Sequence, residues 1–330
     1  MIYKLICIVI FFIVLLSFSQ TLVLGSYLIG KESYTADLVK NAIMDVCPSI
    51  YEKALNSPIY YSGKYDKTDR IDIITPNHMS SIDFMIVLSI IRQYDDRNVY
   101  FLLKKQVALM PGIGFILLSG LDIKLNRKIE EDELNIINTI KRITSGIIFI
   151  MPEGTRYTAA RYEAAKQFSI TNNLDVFKNT LYPKMKGLYT ICNALIQENK
   201  MGNIIDISIV IEHFRNKQIF MSDIINAKKP FGNTFGVVNS YVVPMNIPSY
   251  DKFKEWYIEL WRKKDNTLEN ISMDITKYNR LDPKIATSNY ILLVFIISLS
   301  IYLIINTSGM YLVYSLLLSY IVSFIKYKNL

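Results

Sequence analysis

Residues 71–84 read IDIITPNHMSSIDF, and the order of their parts decides the fold. IDIITP (71–76) is a β-branched run stopped by proline, the pattern of a short buried strand. SSIDFMIVLSIIRQY (80–94) returns to helical spacing, with Ser80 or Ser81 as the expected cap. Between them, a polar island sets His78 five positions before Asp83. Strand, polar turn and helix form the repeating unit of an α/β fold, in which ligands bind beyond the carboxyl ends of strands.

The same alternation continues outward. SYTADLVKNAIMDV (33–46) spaces Leu38, Val39, Ala42, Ile43 and Val46 as an amphipathic helix. NVYFLLK (98–104), LDIKL (121–125), IIFIMP (147–152), IDISIVI (205–211) and FGVVNSYVVPM (235–245) read as strands. KIEEDELNIINTIKRITSG (128–146) brings Ile129, Ile136, Ile137, Ile140 and Ile143 onto one helical face and ends at Gly146. NSPIYYSGKYDKTDR (56–70) and NAKKPFGN (226–233) read as irregular turns. The prediction is an α/β domain over 31–284, with a mostly parallel central sheet flanked by helices.

Composition places this domain between apolar flanks. The chain has 330 residues, is 51% hydrophobic and carries a net charge of +8. No charged residue occurs from Leu5 to Gly30, so residues 1–30 read as a membrane helix rather than a cleaved leader. A second uncharged stretch from Ile285 is divided by NTSG (306–309), so residues 285–330 read as a membrane hairpin, spanning or re-entrant, with a basic tail. Charge at the flanks favours a cytoplasmic domain, on an endoplasmic-reticulum-like membrane in a eukaryotic host. Cys7, Cys47 and Cys192 have neither disulfide-framework nor zinc spacing, which agrees with a reducing compartment and no metal centre. The positive balance suits anionic lipid or polyphosphate ligands; no nucleic-acid motif accompanies it.

Two polar clusters suggest chemistry. An imidazole takes a proton near physiological pH when an acceptor holds its other nitrogen, and Asp83 lies within reach to hold His78 in this way. No G-x-S-x-G elbow is present, so such a base would act directly on a substrate hydroxyl. By spacing alone, a turn histidine and a dipole-favoured aspartate explain the pair as well. FIMPEGTR (149–156) then places Glu153, Thr155 and Arg156 at another strand end, with Gly154 allowing close backbone approach. Its plain alternative is a solvated turn. KKQVALMPGIGFILLSGLDIKLNRK (104–128) adds cations, Lys104 and Lys105 before a turn and Arg127 after a strand, whose ordinary fate is solvation. His213, in IVIEHF, reads as an ordinary strand-end residue.

Taken together, NHMSSID, KKQVALMPGIG…NRK and MPEGTR follow the order of the glycerolipid acyltransferase family, which includes the bacterial PlsC-type enzymes. LYPKMKGL (181–188) and WYIELWRKKDNTLE (256–269) resemble its 1-acylglycerol-3-phosphate and lysocardiolipin acyltransferase branch. The resemblance covers residues 70 to 275 and implies that His78 is the general base and Asp83 its orienting partner. Glu153, Gly154, Thr155 and Arg156 would form the acyl-acceptor site, with Arg156 on the glycerol phosphate. Lys104 and Arg127 would assist phosphate binding, Lys186 would support them, and Pro244 would end the fourth motif. It implies no bound cofactor: acyl-coenzyme A is a co-substrate, and the acceptor is lysophosphatidic acid. The alternatives are another acceptor (lysocardiolipin, lysophosphatidylinositol) or a non-catalytic lipid-binding membrane protein.

Overall fold

The computed structural model describes residues 31–109, 113–214, 231–244 and 249–282, with Ile219 and isolated residues within 19–30 and 298–321. In chain order its elements begin α1 (Glu32–Leu55), β1 (Ile59–Gly63), β2 (Ile71–Pro76), α2 (Asp83–Ile91), β3 (Val99–Lys104), α3 (Ile113–Ser119) and β4 (Ile123–Leu125). They continue α4 (Ile129–Arg142), β5 (Gly146–Phe149), α5 (Ala159–Thr171), α6 (Met185–Gln197), β6 (Met201–Ile211), β7 (Thr234–Val242), α7 (Tyr250–Asn270) and β8 (Asn279–Arg280). The interval read from sequence as one domain falls into two compact units. Among the described residues, the first takes the chain to Val46 and residues 98–143; the second takes 47–97 and 144–282.

In the first unit β3 and β4 pair in parallel, Leu102 opposite Ile123. The first part of α1 does not present the purely apolar stripe its spacing suggested. Val39, Ala42 and Ile43 are buried as expected, but so are Asp37, Lys40 and Asn41, while Leu38 is 37% exposed. Lys40 Nζ lies 3.0 Å from Asp37 Oδ1 and 2.8 Å from Asp122 Oδ1, so the helix face is set by a buried ion cluster. Buried charges persist only when paired, and Asp122 sits 82 residues away, beyond the reach of local pattern. In α4, acidic Glu130, Glu131 and Asp132 open the helix and Lys141 and Arg142 close it, matching its dipole. Ile136 and Ile140 are buried, but Ile129 is 62% exposed. As the first helical residue, Ile129 leans off the helix end. The helix stops at Arg142 rather than at Gly146, which opens β5.

The second unit holds a sheet in the order β5-β2-β6-β7-β1-β8. The β2–β5, β2–β6 and β1–β7 pairs are parallel. The β6–β7 and β1–β8 pairs are antiparallel. The sheet is therefore mixed but mostly parallel, as expected, with antiparallel partners at β7 and β8 that the sequence did not specify. β7 runs antiparallel to its own predecessor β6, so the parallel-crossover rule does not apply there. β1 lies within 56–70, which had read as irregular: Pro58 and Gly63 bracket a strand of only five residues. Ile59–Gly63 is too short to stand out among turn residues, and its pairing with Thr234–Val238 makes it a strand. At Gly236 an added Cβ would stand 2.3 Å from Ile90 Cδ1, so α2 presses directly onto β7. Helices α6 and α7 pack against β6, whose residues Ile204–Ile211 are all buried.

No helix of the described residues is long and apolar enough to cross a membrane. The predicted anchor (1–30) and hairpin (285–330) lie outside the described residues, apart from isolated positions, as do Pro111, Gly112, residues 226–230 and 245–248.

Candidate active site

Parallel pairing creates the site. β2 and β5 run side by side, Ile74 opposite Phe149, so the loops leaving their carboxyl ends emerge at the same edge. One loop is NHMSSI and the other is MPEGTR. Beyond Pro76, the Asn77 side chain takes over the ladder with β6: Nδ2 donates to Ile209 O (3.0 Å) and Oδ1 accepts from Ile209 N–H (2.8 Å). The amide thus replaces a backbone pair and lets the main chain turn away at His78. Asn77 stood inside the recognised motif, but spacing gave it no role.

Asp83 is the first residue of α2, and neither serine caps that helix: Ile82 holds the cap position without a side-chain bond. The polarity is reversed, because Asp83 reaches back to the loop. Its Oδ2 accepts the N–H groups of Met79 (2.7 Å) and Ser80 (2.8 Å) and stands 2.9 Å from His78 Nδ1. Its Oδ1 accepts the Ser80 hydroxyl at 2.6 Å. Asp83 is wholly buried, and the His78 side chain is 20% exposed. With both oxygens committed as acceptors, the proton of the His78–Asp83 contact belongs on Nδ1. That tautomer leaves Nε2 free to accept a proton.

Glu153 is not presented as a free carboxylate, because both of its oxygens are taken by backbone donors. It is 1% exposed; Oε1 accepts His78 N–H (2.8 Å) and Oε2 accepts Leu181 N–H (3.0 Å). It ties the base loop to the chain before α6. Burial pushes its carboxyl up to about 8, against the opposing pull of these two N–H groups and of Lys264. Tyr157 N–H donates to His78 O at 2.7 Å, a second tie between the loops. Gly154 has φ +65°, and an added Cβ would meet Lys184 Cδ at 3.1 Å. Arg156 Nη1 donates to Ser81 Oγ at 2.8 Å, which joins the guanidinium loop to the histidine loop through a serine that sequence reading had offered only as a cap.

Beside this turn is a cleft of about 570 Å³, lined by Glu153 and Thr155 together with Arg161, Lys184, Lys186 and Lys254. Phe168, Leu181, Tyr182, Met185 and Tyr250 supply its apolar wall. Lys186 thus lines the same cleft as Thr155, joined by Arg161, Lys184 and Lys254, which motif matching did not select. Lys104 and Arg127 belong to the first unit, where Lys104 ends β3 and Arg127 takes φ +66° with its N–H on Asp132 Oδ2 (3.0 Å). Pro244 follows β7, outside the elements that hold His78. His213 lies in the short 3-10 turn Glu212–Phe214 after β6, close to the predicted strand end.

An imidazole oriented by a sealed carboxylate, with a guanidinium bonded to the same loop, can take a proton from a hydroxyl held beside a cation. Residues 61–212 match the family model described as acyltransferase. It is 29% identical over 154 residues to the "Probable 1-acyl-sn-glycerol-3-phosphate acyltransferase 5" of Arabidopsis thaliana, covering 45% of this chain and 41% of that protein. It is 23% identical over 276 residues to "Lysophosphatidylinositol acyltransferase 10" of Caenorhabditis elegans, covering 80% and 69%. Shared spans thus run from under half to about two thirds of these relatives. A crystal structure of the LPA acyltransferase PlsC from Thermotoga maritima aligns with a TM-score of 0.46 and 14% identity, over 78% of this chain and 97% of that one.

Proposed function

We propose that the protein transfers a fatty acyl group from acyl-coenzyme A to the sn-2 hydroxyl of lysophosphatidic acid, giving phosphatidic acid. The observation that carries this reading is the His78–Asp83 pair at 2.9 Å, with every other Asp83 bond directed to the same loop. Nε2 removes the acceptor hydroxyl proton as that oxygen attacks the thioester carbonyl carbon. The carbon–oxygen bond forms, the carbon–sulfur bond breaks, and the proton passes from Nε2 to the departing thiolate. No acyl-enzyme is formed.

The carbonyl oxygen gains charge in this step and needs N–H donors. Most candidates are already spent: Met79 and Ser80 on Asp83, His78 on Glu153, Gly154 on Met151. Those of Ser81, Thr155 and Arg156 remain without an acceptor among the described residues, and we assign the oxyanion to this group. Arg156 offers a forked cation to the acceptor phosphate. The uncharged stretches at both ends support a membrane-held enzyme whose acceptor chain stays in lipid.

The relative named for lysophosphatidylinositol supports a second acceptor, since its alignment extends over more of the chain. Purified protein incubated with labelled oleoyl-coenzyme A and a panel of lysolipids decides between them. The expected outcome is transfer to lysophosphatidic acid, reduced by about 10²-fold or more in His78→Ala. Equal activity in that variant would overturn the assignment of the base.

A further inference from the structure

Helix α7 lies outside the matched domain segment, yet two supports of the His78 loop lead to it. The first runs through Glu153, whose Oε2 is held by Leu181 N–H. Leu181 closes the stretch 178–181, and that stretch is attached to one face of α7. Trp261 Nε1 donates to Leu181 O (3.1 Å). Asp265 Oδ2 accepts Lys178 N–H (3.0 Å), and its Oδ1 accepts Asn179 N–H (2.7 Å) and the Thr180 hydroxyl (3.3 Å). Asn179 Nδ2 answers by donating to Asp265 O (3.1 Å) and Glu269 Oε2 (3.0 Å). Residues 261, 265 and 269 are spaced four apart, the repeat that aligns side chains along a helix.

The second support starts one residue earlier. Lys264 is 1% exposed and turns inward to the sheet. Its Nζ donates to Thr75 O and Ile207 O, each at 2.9 Å, and pairs with Asp206 Oδ1 at 2.9 Å. Thr75 stands three residues before His78, at the end of β2. An ammonium this deeply buried is costly unless paired, and burial lowers its pKa while Asp206 and Glu153 pull it back up. The cost falls at the one place where β2 and β6 release the catalytic loop.

We propose that Lys264 and Asp265 are positioning residues for acyl transfer. Asp265 acts through the 178–181 stretch and Glu153 on the His78 backbone, and Lys264 acts through the end of β2. A merely structural pair would fasten α7 without affecting where the imidazole stands. The claim rests on the transferase reading, so its test includes one measurement that needs no turnover.

In Asp265→Ala, deuterium exchange in the peptide covering residues 75–82 should rise, as Glu153 loses the fixed position of Leu181. Acyl transfer should then fall about 10- to 100-fold in kcat, with KM for lysophosphatidic acid unchanged, because a base displaced by about 1 Å loses rate rather than affinity. Asp265→Asn keeps one acceptor oxygen and should restore kcat to within about threefold of wild type. Lys264→Met alone would strand a buried carboxylate, so it is combined with Asp206→Leu, an exchange that keeps the volume apolar. That double variant should fold and show the same kcat loss.

Unchanged exchange at 75–82 in Asp265→Ala overturns the proposal whatever the activity. So does raised exchange with an unaltered kcat, or a loss confined to KM. A wild-type protein that transfers to no lysolipid in the panel overturns the transferase reading, and with it the positioning role in that reaction.

Discussion

Asp83 and Glu153 are two sealed carboxylates that touch the same loop, and they do different work. Asp83 gathers the imidazole, two N–H groups and a hydroxyl, all from residues 78–80. Glu153 gathers two N–H groups from chain segments far apart, His78 and Leu181. One fixes the ring, the other fixes the backbone that carries the ring. The contrast shows that burial and donors, not membership of one motif, decide what each acid holds in place.

The sharpest way to break this contrast is Asp83→Asn. An amide offers one acceptor where four donors converge, and its own N–H opposes them. We expect acyl transfer to fall by about 10³-fold, since the imidazole loses its fixed tautomer. Stability should also drop by about 1–3 kcal/mol from unmet buried donors. Kinetics beside chemical denaturation in detergent would check both, and a variant with near-normal kcat would assign Asp83 to the loop alone.

Glu153→Gln should be milder in rate, about 10-fold to 100-fold, because it shifts the backbone rather than the ring. Its distinguishing mark is pH. An ordinary glutamate loses its proton near 4.5, whereas burial keeps this one protonated up to about 8. Between those values the folded protein binds the extra proton, so this carboxyl's contribution is complete below about 4.5 and is lost as pH rises through 8. Unfolding midpoints measured at pH 5 and pH 8 should therefore separate more in wild type than in Glu153→Gln. Equal separation would remove Glu153 as the source.

Arg156→Lys sharpens the comparison from the substrate side. A lysine keeps the charge but not the fork, so KM for lysophosphatidic acid should rise about 10-fold with kcat little changed. The bond to Ser81 places this cation next to the base loop without burdening either carboxylate. A fall in kcat alone would mean that Arg156 holds the loop instead.

Much of this was readable before any coordinates. The strands at 71–76, 99–104 and 205–211 followed from β-branched composition, and the helix at 129–142 followed from its isoleucine spacing and terminal charges. His78, Asp83 and Arg156 were selected by type and motif; the fold bonds His78 to Asp83 and ties Arg156 to the same loop at Ser81. Other features were hidden for identifiable reasons. Periodicity reports which side of an element is buried, not the direction of its neighbour, so the antiparallel β6–β7 pair was missed. β1 is short and flanked by proline and glycine, which are turn signals on their own. Lys40 and Lys264 look like surface lysines until Asp122 and Asp206 are brought beside them.

The sequence by itself marked out the candidate groups: an imidazole with an acid five positions on, and a guanidinium after another strand. Only the tertiary structure decided which acid holds the ring and which holds the main chain. The deciding bond, from His78 N–H to Glu153, spans 75 residues and exists because two parallel strands end side by side. Hydrogen bonding is short-ranged and directional, so a partner that distant becomes specific only after the sheet has aligned the loops.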